Sequence, residues 1–145
     1  MSGKIVVLSG AFDPPHEDQI DMMIDANLYG KVIIVLNTDE WIKKNKVRLF
    51  MPFKERKKLL EYIPFIHEII KAKDKDGTVC ESLKEIMPDY FGNGGTRTIE
   101  NTPETLFCEE AGINMLWNMG GPHRDTPRDI LERAFSKYHK NRRNY

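Results

Sequence analysis

The sequence predicts an α/β fold, with an open, doubly wound parallel sheet of five strands and helices on both faces. Two observations support this prediction. Short apolar runs rich in β-branched residues alternate along the chain with segments of helical periodicity. The length of 145 residues is enough for one hydrophobic core and too short for two. We therefore expect residues 1–145 to form a single domain.

Five strands are predicted from apolar runs that end in turn residues. The two clearest runs cover residues 5–10 and 32–38, and weaker ones cover 66–72, 89–95 and 113–119. Parallel strands joined by helices need right-handed crossovers, and ligands bind such sheets at the carboxyl ends of the strands. The predicted architecture is Rossmann-like, and a site is expected at that edge of the sheet.

Helices are predicted where apolar residues recur on one helical face. The faces consist of Ile20, Met23, Ile24 and Leu28; of Val79, Leu83, Ile86 and Met87; and of Ile130, Leu131, Ala134, Phe135 and Tyr138. Thr78, Thr102 and Thr126 are expected as N-caps of three helices. Pro52 is expected to open a further helix that ends near Tyr62.

Charge and hydrophobicity exclude several classes of protein. Lys+Arg and Asp+Glu both number 22, so no global basic field favours nucleic acid. A basic tail, residues 137–145, is interpreted as a solvated chain end. The longest apolar runs, 5–8 and 32–36, are far below the ~20 residues of a membrane span, and the start MSGK lacks a signal-peptide core. We expect a cytoplasmic protein that binds neither nucleic acid nor membrane.

The two cysteines, Cys80 and Cys108, are far apart in the sequence. Neither has a metal-ligand spacing relative to His67, His123 or His139. We therefore expect two reduced, buried thiols rather than a zinc site.

The segment after the first strand, SGAFDPPHEDQI, is a tight loop that leads into a helix near His16. Unpaired backbone N–H groups and the helix dipole at such a start attract anions. The alternative is structural, with Asp13 as a turn residue and His16 as a surface imidazole. We favour an anion site.

Basic residues are concentrated in residues 43–58, where eight lysines and arginines stand against Glu55 alone. Such a segment is expected to face a polyanion. The alternative is a solvated basic loop. The eight residues are Lys43, Lys44, Lys46, Arg48, Lys54, Arg56, Lys57 and Lys58.

Three separated motifs occur in order between the predicted strands. GAFDPPHEDQ (10–19) resembles the G-x-F-D-x-x-H-x-G-H loop of the HxGH-motif nucleotidyltransferase superfamily, the cytidylyltransferase-like fold. Residues 36–56 and 88–104 resemble the strand-two and strand-four loops of members related to glycerol-phosphate cytidylyltransferase and to the adenylyltransferase domain of heptose synthesis. The resemblance extends through about Met119.

This resemblance implies transfer of CMP or AMP from CTP or ATP to a phosphorylated small molecule, such as a sugar or polyol phosphate, with release of pyrophosphate. Magnesium is implied because the nucleoside triphosphate carries it. An acceptor phosphate is already anionic at neutral pH and needs no strong base. The main tasks are to position two polyanions and to neutralise the developing pyrophosphate.

The resemblance also assigns residues. The catalytic set is His16, Lys44, Gln19 and Arg124; the nucleotide-binding set is Gly10, Ala11, Phe12, Asp13, Asn93, Gly94, Gly95, Arg97 and Thr126. Lys43 and Lys46 are assigned to substrate binding and are the alternatives to Lys44 as the point charge on phosphate, and Asp13 is assigned to an outer-shell contact with magnesium.

The strand-four loop is expected to bind nucleotide through its glycines. Gly92, Gly94 and Gly95 permit close backbone approach and positive φ. Arg97 is expected to bind phosphate, and the alternative is a surface ion pair with Glu100 or Glu104. After the fifth strand, GGPHRDTPRD occupies the place of the family's third phosphate loop, with His123, Arg124 and Arg128 as donors.

Three positions depart from the family pattern. Asp18 replaces a glycine, Gln19 replaces the second histidine, and Thr96 replaces an aspartate. Gln19 still donates a hydrogen bond but cannot become a cation, and Asp18 repels a triphosphate unless it points away or approaches a metal. The alternative function is therefore a nucleotide-binding protein on the same fold with little or no transfer activity.

A homodimer is also expected. EYIPFIHEII resembles the stretch by which glycerol-phosphate cytidylyltransferase-like subunits pair. Its Tyr62, Ile63, Phe65 and Ile66 carry more apolar surface than an edge strand leaves in water. The alternative is that the helix after residue 78 covers it.

Overall fold

The computed structural model describes residues 3–46, 48–73, 76–95 and 97–121, together with positions 132, 134 and 136. Its strands are β1 (Ile5–Gly10), β2 (Lys31–Leu36), β3 (Ile66–Lys71), β4 (Tyr90–Gly94) and β5 (Asn114–Met119). Its helices are α1 (Glu17–Asn27), α2 (Asp39–Asn45), α3 (Phe53–Glu61), α4 (Cys80–Ile86) and α5 (Thr105–Ala111). The five predicted strands are confirmed, because local apolar runs mark buried parallel strands directly.

The five strands form one parallel sheet in the order β3-β2-β1-β4-β5. The central strand β1 pairs on both sides, so that Val7 lies opposite Ile33 of β2 and Phe91 of β4. Successive strands are added outward from β1 to β3, and the chain then crosses back to place β4 on the other side of β1. Such a reversal opens a crevice at the carboxyl ends of β1 and β4.

Hydrophobic residues fill both faces of the sheet. Val6 and Leu8 of β1 pack in a core with Met23 of α1 and Leu60 of α3, while Val7 packs on the opposite face with Leu83 of α4. Alternate residues of one strand therefore serve two helical layers. The predicted α/β fold with helices on both faces is confirmed.

The predicted apolar face of α1 is only partly correct. Met23 and Ala26 are fully buried, whereas Ile20, Ile24 and Leu28 are 36%, 49% and 82% exposed. The small side chain of Ala26 fits where the helix lies against the sheet, and this rotates the larger apolar residues toward solvent. Periodicity counts apolar residues but does not show which of two neighbouring stripes contacts the sheet.

Two predicted helix starts are shifted. α4 begins at Cys80 with Val79 as its N-cap, and α5 begins at Thr105 with Glu104 as its N-cap. Neither cap residue bonds through its side chain, so the threonine pattern marked the turns before these helices and not their caps. Pro52 opens α3 as predicted. The helix predicted around residues 130–138 lies largely outside the described residues.

Cys108 is a buried thiol between α5 and the sheet, as expected. Burial raises the pKa of this thiol to about 11, and the nearby Cys80 and Glu104 add to the increase. The thiol therefore stays protonated at neutral pH and is a poor nucleophile. In the part of the chain that the structure describes, no helix has the length and hydropathy needed to cross a membrane.

Candidate active site

Two cavities meet in the crevice between β1 and β4. The β2-side cavity, of about 260 Å³, extends from the loop after β1 to Asn37, Trp41 and Glu104. The β5-side cavity, of about 300 Å³, extends to Asn93 and Gly120. The residues that line both cavities are Ser9, His16, Gln19, Lys46 and Arg97. All five have a cationic group or a hydrogen-bond donor of the kind that binds phosphate.

His16 is the N-cap of α1, at the point where the loop after β1 becomes helical. Its Nδ1 accepts the N–H of Asp18 at 3.2 Å, and the Gln19 side-chain oxygen accepts the N–H of His16 at 3.2 Å. Because Nδ1 is an acceptor, the neutral imidazole carries its proton on Nε2, where it can be donated to an anion. Gln19 commits its oxygen to the cap and presents its amide as a donor. The predicted helix start at His16 is thus confirmed.

Asp13 is only 3% exposed and holds a distant segment in place. Its two carboxylate oxygens accept the N–H groups of Phe50 and Met51 at 2.9 and 2.6 Å. The loop after β1 is therefore tied to the segment before α3. The predicted contact of Asp13 with magnesium through water stays a prediction. Phe12, assigned to the nucleotide, lines the β2-side cavity but anchors its ring in the core at 1% exposure.

Arg56 of α3 is fully buried and does not face a polyanion, so the prediction made for it with the rest of residues 43–58 is wrong. Its guanidinium donates to the carbonyl oxygens of Met51, Ala11 and Asn37, each at 2.8 Å. It also pairs with the Asp39 carboxylate at 2.7 Å. One side chain therefore joins the loops after β1 and β2 to the start of α3. Sequence composition could not reveal this, because the partners are up to 45 positions away.

The lysines of the strand-two segment separate in the structure. Lys46 lines both cavities, and its ammonium lies 6.0 Å from the centre of the Trp41 ring. Lys44 lines a different cavity, on the far side of Trp41, with Lys73 and Asp76. Lys43 is exposed and lines none of the cavities described for residues 3–121. Lys46, one of the two predicted alternatives to Lys44, therefore lines the same two cavities as His16 and Gln19, whereas Lys44 lines neither of them.

The cause of this separation is α2, a helix that lies within the segment predicted as the strand-two loop. Thr38 caps it by accepting the N–H of Trp41 at 3.1 Å, and Asp39 and Glu40 occupy its first turn. A threonine followed by two acidic residues is the signature of a helix start and could have revealed it. Lys43 and Lys44 lie on the helix, whereas Lys46 follows it in an extended conformation.

The strand-four loop contributes Asn93, Gly94, Gly95 and Arg97 to the β5-side cavity. Asn93 is buried and its amide nitrogen donates to the carbonyl oxygens of Phe91 and Leu116 at 3.3 and 3.1 Å. It therefore links β4 to β5, and only its side-chain oxygen remains to be assigned to a ligand. Arg97 and Glu104, both in the described part of the chain, form no ion pair with each other.

The expectation of positive φ at Gly92 and Gly94 is wrong. Both lie in β4, and Gly92 is needed for packing: a Cβ there would stand 2.5 Å from Cδ2 of Leu8 and 2.6 Å from Sδ of Met119. The left-handed glycines that line the β5-side cavity are instead Gly120 and Gly121, with φ +78 and +84, and the N–H of Gly120 donates to Asp25 at 2.7 Å. A side chain at Gly120 would meet the backbone nitrogen of Met22 at 2.8 Å.

Trp41, Asn37 and Glu104 line the β2-side cavity and were missed as site residues. The Trp41 indole donates to the carbonyl of Gly77 at 3.2 Å, so the ring forms a fixed wall. Glu104 is 5% exposed, and no local sequence signal distinguishes it from a surface glutamate. Thr96, Arg124 and Thr126, together with His123 and Arg128, lie outside the described residues.

A helix start that offers phosphate-binding groups at the switch point of a parallel sheet is typical of domains that bind nucleotides. Residues 7–116 match the family model described as cytidylyltransferase-like. The chain belongs to the cytidylyltransferase-like family. The family resemblance inferred from the three motifs is confirmed.

Two archaeal relatives are named FAD synthase. That of Ferroglobus placidus is 26% identical over 91 residues, which cover 63% of this chain and 59% of the relative. That of Methanopyrus kandleri is 22% identical over 116 residues, covering 77% and 76%. A solved structure, the lipopolysaccharide core biosynthesis protein from Thermoplasma volcanium, has the same fold, with a TM-score of 0.66, 16% identity, and coverage of 79% of this chain and 94% of that chain.

Proposed function

We propose that the chain transfers CMP or AMP from CTP or ATP to a phosphorylated small molecule, with release of pyrophosphate. The observation that carries the proposal is the shared wall of the two cavities, where His16, Gln19, Lys46 and Arg97 come together. Each substrate has a cavity of its own in this proposal. The phosphate-binding groups that line both cavities neutralise the charge of the two polyanions where they react.

The nucleoside triphosphate is assigned to the β5-side cavity and the acceptor to the β2-side cavity. The motif that resembles the family's nucleotide loop lines the former, with Asn93, Gly94 and Gly95. An oxygen of the acceptor phosphate attacks the α-phosphorus, and the bond between the α-phosphorus and the oxygen bridging to the β-phosphorus breaks. The electron pair leaves with pyrophosphate, and no proton needs to be removed from the acceptor.

The shared residues stabilise the charge that moves during this step. His16 Nε2 and the Gln19 amide donate to the α- and β-phosphate oxygens, from the positive end of α1. Lys46 supplies a point charge between the two substrates, and Arg97 forks onto a phosphate. These interactions strengthen as negative charge develops on the leaving group.

A magnesium ion fits this arrangement as a companion of the triphosphate. Among the described residues, no group of three or more His, Cys, Asp or Glu could hold a metal, so phosphate oxygens would be the main ligands. Asp18 lines the β5-side cavity and would contact the ion through water, which offsets its repulsion of phosphate. When bound, the ion neutralises charge on the departing pyrophosphate.

The name of the two relatives favours AMP as the transferred group, since FAD is FMN joined to AMP. The alternative function, nucleotide binding with little or no transfer, is favoured by one observation: Asp18 faces the β5-side cavity, where the family pattern has a glycine. A pyrophosphate-release assay separates the two. The purified chain is given each of the four common ribonucleoside triphosphates with a panel of sugar and polyol phosphates.

In that assay, phosphorylated acceptors should release pyrophosphate and their parent alcohols should release little. Among the described residues of the cavities, we assign no general base to activate an alcohol. Equal rates with the alcohols would contradict the assignment of a phosphate as nucleophile. Tight triphosphate binding without release for any acceptor would favour the binding protein.

Replacing Lys46 with alanine should raise KM for the triphosphate and the acceptor about tenfold or more, because its charge lies between both cavities. Replacing Lys44 with alanine should change either KM less than threefold, since Lys44 lines the neighbouring cavity. Steady-state kinetics of the two variants provides the comparison. A larger effect on KM for Lys44→Ala than for Lys46→Ala would support the assignment of Lys44 that was made from the sequence.

A homodimer through the edge strand β3 remains a proposal. β3 ends the sheet, and Tyr62, just before it, is 71% exposed. Ile63, Phe65 and Ile66 pack into the core on the α3 face, so the alternative cover by α4, which packs on the other face, does not apply to them.

Light scattering at micromolar concentration should give twice the chain mass of 16.9 kDa. Tyr62→Glu should shift the mass toward the monomer because it places a charge in the proposed contact. Leu106→Glu, at a 66% exposed position on α5, should leave the mass unchanged. A monomeric mass for the unmodified chain would refute the dimer.

A further inference from the structure

Glu104 has a carboxylate whose environment in the described structure is incomplete. The residue is 5% exposed, and its Oε1 accepts only a long hydrogen bond of 3.3 Å from the N–H of Val79. Its Oε2 has no hydrogen-bond partner. Among the described residues, this is the one buried side-chain nitrogen or oxygen atom in that condition. A buried acceptor without a donor is costly, so its presence indicates a missing partner.

A structural role does not account for this carboxylate. Glu104 precedes α5 and is its N-cap, but its backbone is helical and its side chain makes no capping hydrogen bond. It also forms no ion pair with the cations of the described chain. The side chain lines the β2-side cavity and does not line the β5-side cavity. Its missing partner therefore belongs in the part of the crevice assigned to the acceptor.

We propose that Glu104 recognises the acceptor, by accepting a hydrogen bond at Oε2 from a hydroxyl group that the acceptor carries at a distance from its phosphate. This inference rests on the proposed function for the placement of the acceptor. With the phosphate at His16 and Lys46, the rest of the molecule extends into the unshared part of the β2-side cavity, whose lining includes Glu104, Asn37 and Trp41.

The surroundings of Glu104 suit a polyhydroxylated molecule. Asn37 is 6% exposed and offers an amide in the same cavity, and Trp41 offers an aromatic face whose N–H is already bound to Gly77. A carboxylate and an amide beside an aromatic wall bind hydroxyl groups and the C–H face of a carbohydrate or polyol.

A site built to bind a hydroxyl group discriminates strongly against the molecule that lacks it, because the buried carboxylate is then left unpaired. Glu104 is thus expected to set acceptor specificity without taking part in nucleotide binding. Loss of the Glu104 charge should weaken binding of the acceptor and leave binding of the triphosphate unchanged.

The test compares Glu104→Gln with Glu100→Gln, which changes an exposed glutamate of the same loop that lines neither cavity. Ribose 5-phosphate, glucose 1-phosphate and glycerol 3-phosphate are used as acceptors beside their monodeoxy analogues. Binding is measured by calorimetry without nucleotide, and KM by pyrophosphate release. For the acceptor that wild type prefers, Glu104→Gln should raise Kd and KM at least tenfold and remove the preference over the deoxy analogue.

In the same variant, KM for the triphosphate should change less than twofold, and thermal unfolding should show no loss of stability. If Glu104→Gln leaves the affinity for the acceptor unchanged, or raises KM for the triphosphate as much as KM for the acceptor, the role of Glu104 is overturned while the proposed function stands. If wild type releases no pyrophosphate but binds a sugar phosphate in a manner dependent on Glu104, the proposed transfer fails and the recognition role stands. Failure of wild type to bind or convert any of the three phosphates would overturn the role.

Discussion

Replacing Arg56 with methionine should lower the free energy of unfolding by about 3–5 kcal/mol and remove most transfer activity. The guanidinium is fully buried and makes four hydrogen bonds, to three backbone carbonyls and to Asp39. Methionine fills the space of the stem but leaves the carbonyls and the carboxylate without donors. Because these carbonyls belong to the loops that carry the site, activity should fall with stability.

Urea unfolding followed by circular dichroism measures the first effect. Lys58→Met, at an exposed position of the same helix, is the matched control and should change stability by less than about 0.5 kcal/mol. Arg56→Lys should fall between the two, because an ammonium keeps the charge but cannot reach three loops with one planar group. Wild-type stability in Arg56→Met would show that the loops are held by other contacts.

Replacing His16 with alanine should reduce kcat/KM by about 100-fold or more, the usual cost of losing a donor that acts on developing charge. Stability should fall by only about 1 kcal/mol, since the imidazole also caps α1 through the N–H of Asp18. The two effects arise from the two nitrogens of one ring. They are measured by pyrophosphate release and by denaturant unfolding.

His16→Asn separates the two roles. The asparagine oxygen restores the cap, so stability should return to near that of wild type. Its amide is shorter than an imidazole and does not bring a donor to the same place, so most of the loss in activity should remain. Recovery of full activity in this variant would mean that His16 acts only by capping α1.

The strands could be predicted from sequence because their signal is local. Residues 6–8 and 32–36 are buried in the sheet, so each of these residues is apolar whatever its neighbours along the sheet are. The start of α1 was also local: a loop with two prolines leads to His16, and its partners Asp18 and Gln19 lie within three positions. The family motif and the predicted anion site both lie in this short segment.

The buried faces of the helices and the positions of the charged side chains do not depend on local sequence alone. Whether Ile24 or Ala26 faces the sheet depends on the angle at which α1 crosses it. Lys44 and Lys46 are two positions apart and reach different cavities because α2 ends between them. The sequence around Lys44 and Lys46 does not distinguish them, because both belong to the same basic segment.

The sequence alone determined the order of the strands and of the helices other than α2, the parallel sheet and the start of α1, because each depends on periodicity or on contacts within a few residues. Only the tertiary structure decided the roles of Arg56 and Glu104. Arg56 is a charged residue that the fold buries among carbonyls 5 to 45 positions away. Glu104 is a carboxylate that packing encloses without a donor. Burial and hydrogen-bond partners depend on which segments contact one another in the folded chain, and composition does not predict those contacts.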